Sequence, residues 1–298
     1  MELLKREYNA THSDSLIETA PVEILSKLKE KQSCKDDLCL TTRVQNAAVR
    51  QSLLKTRYSP FMPANWKKNI NEWLSSSDIV NVLRQYEASF PAFKFLGPSP
   101  TDYYFMETKT ECVWQDLCQF NLQKYLADGK TKFGVVFNID PHDLPGSHWV
   151  AVFIDAKTRQ MYYFDSTGDK IHKDILRFIR EVQAKSRALG QEYKFNLETD
   201  QTHPLEHQYG DTECGMYVLY FIITMLRNQK DVYQSIFKNP KRKIPDKAME
   251  RLRYEYFNER ETPVTAKMNT QVQQVAAKYA RVSGTRKKRR KHFPRRKA

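Results

Sequence analysis

The chain reads as an α+β protein, on three observations. Three β-rich segments, "KFGVVFNID", "SHWVAVFID" and "MYYFDS", follow one another in mid-chain with only short turns between them. Amphipathic helical patterns lie on both sides of that block. One stretch, Met216–Leu226, is apolar at nearly every position and has the length of a helix packed centrally against a sheet.

Residues 1–65 form a polar N-terminal arm with helical character. Pro21 suits the first position of a helix that carries Val22, Leu25 and Leu28, and a second helix is expected over Arg43–Leu54. The two prolines of "RYSPFMPANW" mark the joint to the main domain, residues 66–260. There "SSSDIVNVLRQYEASFP" offers Ser76 or Ser77 as a cap, followed by Ile79, Val82, Leu83 and Tyr86 at helical spacing. After the strands, Ile171, Ile175, Phe178, Ile179 and Val182 mark a helix, "YKFNLE" a further strand, and "IPDKAMERLRYEYF" a last amphipathic helix. No internal repeat is present.

Composition narrows the class. With 40% hydrophobic and 12% aromatic residues the chain can build a core. Its longest apolar run is too short to span a bilayer, and "MELLKREYNATHSD" lacks the apolar stretch of a signal peptide, so a soluble, non-secreted protein without membrane contact is expected. Five cysteines, an odd number at irregular spacings, point to reduced thiols rather than a disulfide framework. The formal charge is +14, and nine of the excess positive charges sit in Arg286–Ala298, leaving +5 for the rest. That tail, within residues 261–298, reads as a disordered appendage serving solubility, or as a nuclear address or nucleic-acid anchor.

The chemistry concentrates in "QYGDTECGMYVL". A cysteine nucleophile requires a thiolate, a base to generate it and a group that holds the base in the right tautomer. Acyl transfer also requires donors for the developing oxyanion. Cys214, at the start of the apolar helix, faces the positive end of a helix dipole, which stabilises negative charge on sulfur. Its backbone N–H and the Gln208 side-chain amide form a candidate oxyanion hole, with Gly210 letting the turn approach. His148 opens one strand and Asp165 closes the next, so antiparallel pairing brings them together as base and orienting acid. Taken singly, a cysteine on an apolar helix or a histidine at a strand end is more often structural. The ordered set is more specific than its members.

That set, "SHW" at Ser147–Trp149, "YFDS" at Tyr163–Ser166 and "QYGDTECGMYVL" at Gln208–Leu219, resembles the SUMO- and ubiquitin-like-specific and adenovirus-type (adenain-like) cysteine proteases. The similarity runs from about Asn71 to Phe257. It implies a papain-like or adenain-like core: a central mixed sheet flanked by helices, with the nucleophile at the N-terminus of a buried helix. It also implies that Trp73, in "NEWLSSSDI", and Trp149 line a narrow channel admitting a Gly-Gly-type segment, although the family's usual Asn-Asp after Trp-Leu is missing here. A core aromatic is the other reading of Trp73. Within the family the compact members from large DNA viruses are similar in layout, with an N-terminal helical arm and a comparable "SCKDDLC" segment. They process virion precursor proteins after small Gly-containing motifs.

The leading expectation is therefore a thiol endopeptidase acting on viral precursor proteins, in the virion or the host cytoplasm during assembly. A deconjugating isopeptidase for a ubiquitin-like modifier, with a nuclear location, is the alternative. An acetyltransferase effector would normally use Glu as its acid, and a non-enzymatic nucleic-acid-binding scaffold would not need the four-residue set. No metal or other cofactor is expected. Cys34-x4-Cys39 and His203-x3-His207 lack a second cysteine pair at zinc spacing, and Cys112 and Cys118 would face different sides of a helix. No Gly-rich phosphate loop is present. His142, beside Asp143 in "DPHDLPG", and His207 are rival bases, but neither begins a buried strand.

Overall fold

The computed structural model describes residues 2–13, 16, 23–34, 37–50, 53, 59–196, 205–227, 232–239 and 241–258. His203 and the basic tail, residues 261–298, lie outside them, as do Pro21 and Val22.

Six strands build one mixed sheet: β1 (Phe93–Phe95), β2 (Ser99–Pro100), β3 (Lys132–Asn138), β4 (Trp149–Asp155), β5 (Gln160–Phe164) and β6 (Lys194–Asn196). The order is β1-β3-β4-β5-β6, with β2 also pairing β3. The β3–β4 and β4–β5 pairs are antiparallel, whereas β1, β2 and β6 join in parallel. β-Branched and aromatic residues fill the central strands because both faces of the sheet are covered. Along β4 the alternation is strict. Trp149, Ala151 and Phe153 enter one core and Val150, Val152 and Ile154 the other.

On the first face lies the helix Cys214–Arg227, in which every residue from Cys214 to Leu226 except Tyr220 is buried. It is packed by the helices Ser76–Ser89 and Asp246–Tyr256. The amphipathic helix Lys173–Ala188 covers the second face with Ile175, Phe178, Ile179 and Val182. Its N-cap is His172, whose Nδ1 accepts from the Asp174 N–H. The helix Ser76–Ser89 starts one residue earlier than the serines alone suggest. Ser75 is the N-cap, because Asp78 at N3 returns a bond to the Ser75 N–H and completes a capping box. Among the described residues no helix is long and apolar enough to cross a membrane.

The arm holds helices Glu2–Thr11, Ile24–Lys31 and Asp37–Thr42 around a small core of Tyr8, Ile24, Leu28, Cys34 and Leu40. The helix expected from Arg43 begins later, after Asn46, whose Oδ1 accepts the N–H groups of Ala48 and Val49 and so acts as a cap. Residues 59–62 are tied to the last of the described residues. Asn258 N–H donates to the Pro60 carbonyl, and its own carbonyl accepts the Met62 N–H.

The expectation of reduced thiols throughout is corrected. Cys34 is bonded to Cys39, and Cys112 to Cys118. Both pairs close short loops. Cys112 sits on an isolated bridge with Met106, before the four-residue helix Gln115–Cys118 rather than on a helix with Cys118, so the chain folds back and brings their Cα atoms to 6.7 Å. Cys214 is the free cysteine.

Candidate active site

His148 immediately precedes β4 and Asp165 immediately follows β5. The antiparallel register, with Ala151 opposite Phe164, carries both to the same end of the sheet. There His148 Nε2 donates to Asp165 Oδ1 at 2.7 Å. The same carboxylate oxygen accepts the backbone N–H and hydroxyl of Thr167, at 3.0 and 2.9 Å. With Nε2 committed to Asp165, Nδ1 is the ring nitrogen left to face the thiol.

Burial alone would pull the His148 pKa down. Hydrogen bonds to Asp165 and Cys214, together with their charges, overrule it and raise the value to about 10. The His148 imidazole is thus placed to hold a proton in contact with the sulfur.

Cys214 is the first residue of its helix and is 2% exposed. The N–H groups of a helix's first turn have no intrahelical partners, so their dipoles converge on this end. Gly215 is required by packing, since a Cβ there would lie 2.7 Å from the Leu74 Cβ. Leu74 also accepts the Trp149 indole N–H through its carbonyl, at 3.1 Å. The segment Trp73–Leu74 is thereby held against both the helix that Cys214 begins and the strand that follows His148.

Trp73 and Trp149 line one cavity of about 390 Å³, shared with Leu74, Pro98, Leu144 and Pro145. Trp73, half-buried, also lines a second cavity of about 240 Å³ that reaches Thr212, two residues before Cys214. Trp73 thus borders both cavities.

Gln208 is buried and belongs to a loop bound to the turn after β5, where the Ser166 carbonyl accepts the N–H groups of His207 and Gln208. Gly168 permits this approach. It has φ +74°, and a Cβ would lie 3.1 Å from the Leu205 carbonyl carbon. The Gln208 amide itself is held at both ends: Ser166 Oγ donates to Oε1 at 2.7 Å, and Nε2 donates to the Gly210 carbonyl at 2.8 Å.

The rival bases have other partners. His207 uses both ring nitrogens on backbone, Nε2 donating to the Phe237 carbonyl and Nδ1 accepting the Ile244 N–H, and burial lowers its pKa. His142 pairs with Asp102 at 2.6 Å and stacks on Phe105. Among the described residues no group of three or more His, Cys, Asp or Glu side chains is placed to hold a metal.

Sequence reasoning did not single out Ser166, Leu74, Asp246 or Arg253. Ser166 had a signal, since it follows the acid in "YFDS". Arg253 had none: it is fully buried, donates to the carbonyls of Glu72 and Thr212 at 2.8 and 3.2 Å, and stacks over Trp66.

Residues 134–268 match the profile of the Ulp1 protease family, C-terminal catalytic domain. A relative from Acanthamoeba polyphaga mimivirus, named as a thiol protease, is 31% identical over 201 residues, which cover 65% of this chain and 61% of that protein. The chain thus spans less than two thirds of that relative's length. A cysteine protease of African swine fever virus is 26% identical over 236 residues, covering 73% of this chain and 84% of the relative. A crystal structure of the African swine fever virus protease superposes with a TM-score of 0.52 at 22% identity, over 80% of this chain and 88% of that one, a likeness of fold. Residues 134–268 contain His148, Asp165, Gln208 and Cys214, so the part of the chain that is similar to the Ulp1 protease family's catalytic domain holds all four residues.

Proposed function

We propose that the protein is a thiol endopeptidase that cleaves viral precursor proteins after small Gly-containing motifs. The observation that carries this reading is the His148–Asp165 bond of 2.7 Å beside a free cysteine at a helix N-terminus. Cys214 attacks the scissile carbonyl as thiolate, and His148 returns its proton to the leaving amine. Asp165 fixes the ring so that Nδ1 faces sulfur. The Gln208 amide and the Cys214 N–H meet the oxyanion. Trp73 and Trp149 confine the approach to a chain without side-chain bulk. The relatives from mimivirus and African swine fever virus support a role in virion maturation, at the site of assembly or in the particle.

Mass spectrometry of virion precursor proteins incubated with wild-type and Cys214→Ala enzyme tests the reading. New termini after glycine that require Cys214 are expected. Their absence, with release of a ubiquitin-like modifier from conjugates instead, would favour deconjugation. That second reading draws on the name SUMO-1 cysteine protease carried by other African swine fever virus relatives.

A further inference from the structure

We infer that Ser166 and Asp246 are positioning residues that aim the Gln208 amide, and that a single carboxylate, Asp246, ties the oxyanion loop to the nucleophile helix. The inference rests on the oxyanion role proposed for Gln208. A glutamine amide has a donating and an accepting end of nearly equal size, and only the NH₂ end stabilises an oxyanion. Turned over, the same side chain would present an acceptor to the developing charge and raise the barrier. Orientation must therefore be imposed from outside the side chain.

The Gly210 carbonyl imposes it. A carbonyl only accepts, so the amide atom facing it must be Nε2, as found at 2.8 Å. This uses one of the two Nε2 protons and leaves the second for the substrate. Ser166, wholly buried, then satisfies Oε1 at 2.7 Å. A hydroxyl alone could serve either orientation, so Ser166 stabilises the choice that Gly210 makes.

Asp246, in the first turn of the last helix, holds the Gly210 carbonyl in place. Its Oδ2 accepts the N–H groups of Tyr209 and Gly210 at 3.0 and 2.8 Å. Its Oδ1 accepts the Tyr217 hydroxyl at 2.9 Å, and Tyr217 lies one turn beyond Cys214 on the same helix. Tyr217 is fully buried, and its one hydroxyl proton is shared between Asp246 and the Ile244 carbonyl at 2.7 Å. The oxyanion donor and the nucleophile thus share one rigid anchor. Ser166, bonded in sequence to Asp165, links the same donor to the acid.

The full chain carrying Ser166→Ala, Asp246→Ala, Asp246→Asn or Gln208→Ala tests this, with a Gly-containing peptide for kcat and KM and iodoacetamide for thiol reactivity. Alkylation passes through no tetrahedral oxyanion, so it reports the Cys214–His148 pair alone. Ser166→Ala and Asp246→Ala should each lower kcat about tenfold, the scale of one lost hydrogen bond in the transition state, with KM and alkylation rate unchanged. Asp246→Asn, which keeps an acceptor oxygen, should recover part of the loss. In a Gln208→Ala background Ser166→Ala should cost about nothing further, because the group it aims is gone.

Unchanged kcat in Ser166→Ala and Asp246→Ala, with Gln208→Ala impaired, would overturn the inference and leave the oxyanion reading intact. Unchanged kcat in Gln208→Ala would remove the oxyanion reading itself. Alkylation falling in parallel with kcat would show that both residues merely hold the fold together. If Ser166→Ala does not fold, the Asp246→Ala and Asp246→Asn pair decides alone.

Discussion

His148 carries the pH dependence of this site. Its pKa is raised from 6.5 to about 10, so the folded protein binds that proton more tightly than the unfolded chain. The stability this contributes is complete below pH 6.5 and is lost as pH rises through about 10. Chemical denaturation of wild type and His148→Gln across that range should therefore show a gap that narrows as the pH approaches the upper value. Part of the upward push comes from Cys214, so in Cys214→Ala the His148 titration, followed by NMR, should move to lower pH while Asp165 still holds it up. Cys214→Ala should also abolish peptide cleavage. Asp165→Asn should be milder than Asp165→Ala, measured as kcat/KM. An amide oxygen still accepts the Nε2 proton and fixes the ring, although it stabilises imidazolium less well.

At the scale of elements, the contact between Gly215 and Leu74 is the least forgiving. A methyl at Gly215 meets the Leu74 Cβ at 2.7 Å, an atom fixed to backbone that cannot swing aside. Gly215→Ala should destabilise the protein by about 1–3 kcal/mol in denaturant titration and raise KM, because the Leu74 carbonyl also holds Trp149. The central strands and the long helices were legible in the sequence because each buries a periodic apolar face. The strand ends were legible because antiparallel pairing fixes which residues meet, and that logic brought His148 to Asp165. β1 and β2 were not, since three- and two-residue strands have too short a pattern to register. Nor were Asp246 and Arg253. Their parts in the site depend on contacts with residues 36 and 41 positions away along the chain, which no local spacing encodes. The disulfides escaped for a different reason: they join residues only five and six positions apart, through turns that spacing alone misjudged.

For the whole molecule, the proposed function makes Trp73 and Trp149 the residues that set what can be cut. A substrate with leucine in place of the glycine before the scissile bond should resist cleavage by steric exclusion, and equal rates on the two peptides would remove the channel. The arm stands apart in another respect. Its five core residues pack among themselves, in a cluster separate from the two that sandwich the sheet, and Cys34–Cys39 closes a loop within it. So small a core is marginal without its covalent link. Calorimetry should then resolve two heat-absorption peaks rather than one, and the paired change Cys34→Ser with Cys39→Ser should displace only the lower of them. Such a chain has no single melting temperature, and its arm would come loose on warming while the sheet and the two cores on its faces stayed folded.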